Sequence, residues 1–141
     1  ELIEAALNEI AAVCQKGEQF NDPSDVKRYL SVQLGLEQRE VFAVLFLDSQ
    51  HQLISYEKLF YGTLNQSEVH PREVVKRCLE LNAGAVICAH NHPSGVAEPS
   101  VSDKAITEQL VKALGLVQVN VLDHIVVGGS ETVSFAERGY L

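Results

Sequence analysis

Two apolar runs, "VFAVLFL" at 41–47 and "AVICA" at 85–89, constrain the fold of this chain more than any other feature. Neither approaches the ~20 residues that span a bilayer. Both lack the apolar–polar alternation of a strand with one wet face. A short run that is apolar throughout marks a central strand, buried on both sides. The rest of the chain must then supply covers for both faces of a sheet.

The remaining segments read as those covers and as the outer strands. Residues 2–14 place Leu2, Ala5, Ala6, Ile10 and Val13 on one helical face. After a polar break, "NDPSDVKRYLSVQLG" predicts a helix with Asp22 as cap, Pro23 in the first turn and Gly35 at the stop. "EVFAVLFLDSQHQLISYEKLFYG" is a strand pair about the turn "DSQHQ". "HPREVVKRCLELNAG" predicts a helix, with Pro71 near its start and Asn82 to Gly84 near its end. "SVSDKAITEQLVKALG" predicts another, with Ile106, Leu110, Ala113 and Leu114 facing inward and Gly115 closing it. "VQVNVLDHIVVGG" and "TVSFAERGYL" are expected as strands.

At 141 residues this suits one α/β (α+β) domain, a sandwich of one mixed sheet flanked by helices. We divide it into an N-terminal helical segment, 1–20, and the domain proper, 21–141. No internal repeat or low-complexity segment interrupts it.

Charge narrows the partners. Eleven Lys and Arg face 19 Asp and Glu, a formal net charge of −8. Affinity for a nucleic-acid backbone comes largely from basic side chains. Direct nucleic-acid binding is therefore disfavoured, the tightest basic group being Arg72, Lys76 and Arg77. The three cysteines, Cys14, Cys78 and Cys88, have no C-x-x-C spacing, which argues against a disulfide framework or a cysteine-rich zinc knuckle. Buried free thiols in a reducing cytoplasm fit better. The opening twenty residues carry Glu1, Glu4 and Glu9 and no basic region, so no secretory leader is expected, and no membrane partner. The first residue is not Met, as in a segment cut from a longer chain.

The chemistry concentrates in "CAHNHPSGVAEPSVSD", residues 88–103. Residues i and i+2 of a strand face one side, so His90 and His92 at a strand end can form a two-nitrogen clamp for zinc. The turn-rich "PSGVAEP" can bring the chain back so that Asp103, in the first turn of the next helix, adds an oxygen. Three protein ligands leave a fourth tetrahedral position open, as in catalytic rather than structural zinc sites. Other readings stand beside this one. Ser100-x-x-Asp103 is also a helix capping box, and a His-x-His pair can be incidental. Glu40, at the lip of the first apolar strand, is either a solvated strand end or a proton acceptor aimed into a site.

The order of these residues carries a resemblance. His90-x-His92, seven residues, Ser100, two residues, Asp103 resembles the JAMM signature of the JAB/MPN metalloproteases. "HPREVVKRCLELNAGAVICAHNHPSGVAEPS", "DHIVVGG" and "SFAERGYL" resemble its RadC-like branch over roughly residues 25–141. The chain is similar to the short members found on prophages and mobile elements, and has no room for the helix-hairpin-helix region of longer ones. The resemblance implies a JAB/MPN, cytidine-deaminase-like fold and one zinc ion held by His90, His92 and Asp103. It also implies Glu40 as general base, Ser100 as a donor to the developing oxyanion, and hydrolysis of a peptide or isopeptide bond in an unknown protein or peptide substrate. Asn91 stands where other branches often have Ser or Thr, and touches no ligand in this reading.

Further polar residues have plainer expectations. His51 falls in a hairpin turn, His70 at a helix start on the surface or as a cap, and Ser94 and Gly95 shape a turn beside an exposed Glu98. Asp123-His124 is either a pair that orients a ligand from behind or a satisfied polar pair at a strand junction. Three other functions compete with hydrolysis. A DNA-repair-associated role is opposed by the charge, and "HNH" at 90–92 is not the scattered triad of an HNH nuclease. A zinc deaminase would need H-x-E and P-C-x-x-C, both missing. A non-catalytic zinc-containing interaction module would keep the ligands without turnover.

Overall fold

Val41–Leu47 is buried at all seven positions, and so is Ala85–Asn91, because each strand has a neighbour on both edges and a cover on both faces. In the computed structural model, which describes residues 23–62 and 69–141, these are β1 and β3 of one five-stranded sheet. β2 (Leu53–Tyr61), β4 (Asn120–Gly128) and β5 (Glu131–Ser134) complete it in the order β2-β1-β3-β4-β5. β1 pairs antiparallel with β2 and β3, β3 pairs parallel with β4, and β4 pairs antiparallel with β5. The expected mixed sheet with helices on its faces is what the chain forms. The helix expected over 2–14, the 1–20 segment and Cys14 lie outside the described residues.

Three helices cover the sheet among the described residues. α1 (Pro23–Leu34) lies on one face, burying Val26, Tyr29, Leu30 and Leu34 against Ala43, Leu45, Ile87 and Ile125. α2 (Pro71–Leu81) and α3 (Val101–Gly115) lie on the other, where Val74, Cys78, Ile106, Leu110 and Leu114 meet Val44, Phe46, Val86 and Cys88. Burial of each such side chain stabilises the fold by about 1.5–3 kcal/mol. α2 stops at Asn82, whose left-handed backbone (φ 56°) turns its amide back to the Cys78 and Leu79 carbonyls. No helix among the described residues is long and apolar enough to cross a membrane.

The C-terminal strands are shorter than the sequence predicts. β4 begins only at Asn120, after a turn that places Gln118 at φ 62°. "TVSFAERGYL" is a strand only to Ser134. The Asp123 carboxylate takes the Ser134 hydroxyl at 2.6 Å and the Ala136 amide at 2.9 Å, which curls the chain out of the sheet. Phe135 is buried at that bend.

Candidate metal centre

The connection from β3 to β4 is a parallel crossover through α3, so the C-terminal end of β3 faces the N-terminus of a helix. Open α/β sheets place ligands at such strand ends. β1 runs antiparallel to β3 with Phe42 opposite His90, which brings the start of β1 to the same place. Three elements thus deliver the residues the spacing singled out.

His90 is the penultimate residue of the buried strand β3, and His92 lies just past the strand end. Asp103 sits in the first turn of α3. His90 Nε2 lies 3.0 Å from His92 Nε2 and 3.1 Å from Asp103 Oδ1, and His92 Nε2 lies 3.1 Å from Asp103 Oδ2. Among the described residues, this is the group of His, Cys, Asp or Glu that could share an ion, with one ligand atom from each within 4.8 Å of the others. His90 and Asp103 are buried, and His92 is half-buried.

Asp103 is both a helix cap and a member of this cluster. Its amide donates to Ser100 Oγ at 3.0 Å, and Oδ2 accepts from the Ser100 amide at 2.7 Å. The capping box predicted as a rival to the metal reading is present, and it holds the carboxylate toward the two rings. Burial would push the Asp103 carboxyl up, but the His90 and His92 rings and the Ser100 amide hold it well below the usual carboxylate range. The same carboxylate raises His92 above an ordinary imidazole, against the effect of burial.

The donor set fits a metal ion. His92 Nδ1 donates to the Val96 carbonyl at 2.8 Å, so in the neutral ring Nε2 carries the lone pair that faces the cluster. Two nitrogens bound at ~2.0–2.1 Å to one tetrahedral ion stand about 3.3 Å apart, close to the 3.0 Å seen here. Two imidazoles and a carboxylate are ligands that suit zinc.

Glu40 and Ser100 line the same cleft, of about 360 Å³, with His92, Pro93, Ser94, Ser102 and Asp103. Asn91, given no role by the sequence, anchors the Glu40 side of it. Its buried side chain accepts the Val41 amide at 2.7 Å and donates to the Arg39 carbonyl at 3.0 Å, on either side of Glu40. A buried polar residue between two histidines was the available signal, since such a group must find partners.

The Asp123-His124 pair divides its two expected roles. Asp123 is the satisfied polar partner of the β4–β5 junction, also accepting the His124 amide at 2.7 Å. His124 points the other way, with Nε2 at 2.8 Å from His90 Nδ1. Its Nδ1 lies 2.5 Å from Thr107 Oγ1, a residue the sequence did not single out, one turn after Asp103 on α3. Burial, with His90 beside it, lowers His124 well below the ordinary imidazole value.

The loop between β3 and α3 is held from both sides. The His92 amide donates to the Val127 carbonyl at 2.8 Å, and Ala97 is buried against Val126 and Phe135. Gly95 takes φ 91°, and Ser94 Oγ accepts the Val96 amide at 3.4 Å, which shapes the expected turn. Glu98 is exposed as expected, and both its oxygens accept from Arg138 Nη1 at 2.9–3.0 Å. His51, at φ 63°, is exposed in the hairpin turn, and His70 is exposed at the α2 start without capping it.

Comparison with known proteins points the same way as this geometry. The family model described as the RadC-like JAB domain matches residues 20–140. A UPF0758 protein of Methylibium petroleiphilum is 57% identical over 140 residues, 99% of this chain and 63% of that protein. One from Pseudoalteromonas translucida is 60% identical over 128 residues, 91% of this chain and 57% of its own length. One from Xylella fastidiosa is 52% identical over 139 residues, 99% and 62% respectively. The chain thus spans about three fifths of the length of these curated relatives.

Proposed function

This chain belongs to the RadC-like JAB domain family, and we propose that it is a zinc-dependent hydrolase of the JAMM type, acting on a peptide or isopeptide bond. The convergence of His90 Nε2, His92 Nε2 and the Asp103 carboxylate, with His92 and Asp103 lining a cleft alongside Glu40 and Ser100, carries this reading.

His90, His92 and Asp103 would hold the ion. Zinc bound there supplies a Lewis acid that polarises a scissile carbonyl and brings the pKa of water down to about 7. Glu40, at the rim, takes a proton from the attacking water and returns one to the leaving nitrogen. Ser100 Oγ accepts from the Asp103 amide, which leaves its own O–H to donate to the oxygen where charge develops. Asn91 sets the backbone on both sides of Glu40 and so keeps that carboxylate at the cleft.

The substrate is a protein or peptide. A net charge of −8 speaks against a nucleic-acid partner, and Arg77, in the group with Arg72 and Lys76, is occupied by Glu57 at 2.7–2.8 Å. Cys78 and Cys88 are free and buried, which fits a reducing, cytoplasmic setting.

The test compares zinc-loaded parent and Glu40→Gln on linear peptides and on isopeptide-linked conjugates of ubiquitin-like proteins. The parent should cleave one of these classes, lose turnover to a chelator and regain it with zinc. Glu40→Gln should keep its zinc and lose about 10²–10⁴ in turnover. Unchanged turnover removes Glu40 from the base role, and a zinc-loaded parent that cleaves neither class removes the hydrolase reading.

A further inference from the structure

The proton positions behind His90 are determined by a chain of contacts that ends on a group with no choice. A backbone carbonyl only accepts, so Thr107 Oγ1, at 2.8 Å from the Asp103 carbonyl, directs its single hydrogen there. Toward His124 Nδ1 the same oxygen then accepts, and Nδ1 carries a proton. The His124 ring is completely buried, edge-on to Phe42 and stacked on Phe135 with centroids 4.6 Å apart. Its two nitrogens meet His90 and Thr107, and neither meets a carboxylate that would support a charged ring. A neutral His124 protonated at Nδ1 has a bare Nε2, which accepts from His90 Nδ1 at 2.8 Å.

We propose that His124 and Thr107 are positioning residues that fix the tautomer of His90, putting its proton on Nδ1 and leaving Nε2 as a lone pair aimed at His92 Nε2 and the Asp103 carboxylate. The functional meaning of this device rests on the metallohydrolase reading above. Without it, His90 has an attractive alternative. A proton on Nε2 would bond to Asp103 Oδ1 at 3.1 Å and close the site to a cation. With it, His90 and a neutral His92 present lone pairs to each other at 3.0 Å beside a carboxylate, an arrangement that a cation relieves. The wire begins on the backbone of Asp103 and ends on His90, so it ties two of the three ligands together. Partners of this kind, behind a ligand, set ring orientation and tautomer.

The test uses the whole chain with ¹⁵N-labelled histidine, metal-free and at alkaline pH, where nitrogen NMR distinguishes the two tautomers. The parent should show His90 protonated at Nδ1 and bare at Nε2. Thr107→Val, which keeps the shape and removes the hydroxyl, should shift His90 toward the Nε2-protonated form, and Thr107→Ser should restore it. Zinc affinity, read by competition with a chromophoric chelator, should fall about 10–100-fold in Thr107→Val and return in Thr107→Ser. A parent His90 protonated at Nε2 overturns the proposal, as does a folded Thr107→Val with unchanged tautomer and affinity. The parent spectrum needs no variant, so it decides the tautomer even where Thr107→Val misfolds. A parent that takes no zinc yet shows the Nδ1 proton would sink the hydrolase reading and uphold the tautomer lock.

Discussion

Ser100 and Asp103 bind each other twice, amide to Oγ at 3.0 Å and amide to carboxylate at 2.7 Å, while the same carboxylate faces His90 and His92 at 3.1 Å. A helix cap here is the device that aims this carboxylate at the two imidazoles. Capping fixes the rotamer of Asp103, and the positive end of α3 favours its charge.

The two roles of Asp103 separate in Asp103→Asn. An amide oxygen can still accept from the Ser100 amide, so the cap survives in part, and at a pH where His92 is neutral stability should fall by about 0.5–2 kcal/mol. Zinc affinity should fall by more than the ~10–100-fold typical of a partner behind a ligand. Calorimetric unfolding of the metal-free protein and chelator competition measure the two effects. A variant that holds zinc as tightly as the parent would reduce Asp103 to a cap.

Asn91→Leu tests the anchor of Glu40. It leaves the Val41 amide and the Arg39 carbonyl without the Asn91 side chain, at about 1–3 kcal/mol for each group left unsatisfied. Zinc should still bind, because the Asn91 side chain bonds to Val41, Glu37 and Arg39 and to none of His90, His92 and Asp103. Turnover should fall by up to about 10², the scale of an ångström's misplacement of a catalytic group. Full turnover in the variant would show that Glu40 does not depend on this anchor.

Gly128→Ala tests the support of the loop. A Cβ there would stand 2.5 Å from the Ala97 nitrogen and 2.7 Å from the Val96 carbonyl carbon. Since the Val96 carbonyl orients His92, the substitution should lower stability by about 1–3 kcal/mol and weaken zinc together. Unfolding and chelator titrations on one sample show whether the two losses are coupled. Unchanged zinc affinity would mean that the loop absorbs the methyl group away from His92.

The pH dependence follows from His92. Its pKa is raised in the folded, metal-free chain, so its contribution to stability is fully present below the unfolded value of ~6.5 and is lost as pH rises through the folded value. Zinc requires the neutral ring, so affinity should rise over that same interval, above the range of an ordinary imidazole. The thermal upshift given by zinc should therefore grow with pH. An upshift independent of pH across neutrality would contradict the His92 assignment.

Much of this molecule is legible in its residues, and the remainder is hidden for physical reasons. β1 and β3 are apolar at nearly every position, and Pro23, Pro71, Asn82 and Ser100 mark helix ends by local backbone chemistry. The grouping of His90, His92 and Asp103 shows in short-range spacing. The end of β5 does not, because it depends on the Asp123 side chain reaching Ala136 from another strand. Thr107 looks like an ordinary helix residue until the crossover lays α3 beside His124. Asn91 reveals its role only when β1 and β3 pair, fifty positions apart. Asp123 and His124 are adjacent and face opposite directions, so one dipeptide held two roles that sequence could only offer as alternatives.

Catalysis by this chain would require residues 90–103 to build a zinc site. Elemental analysis of the purified chain, beside a His90→Ala/His92→Ala control, addresses that directly. About one zinc per chain is expected, as in three-ligand catalytic sites, and none in the control. A parent that stays metal-free in zinc-replete medium would contradict the zinc site, leaving the span a turn, a helix cap and a set of buried histidines.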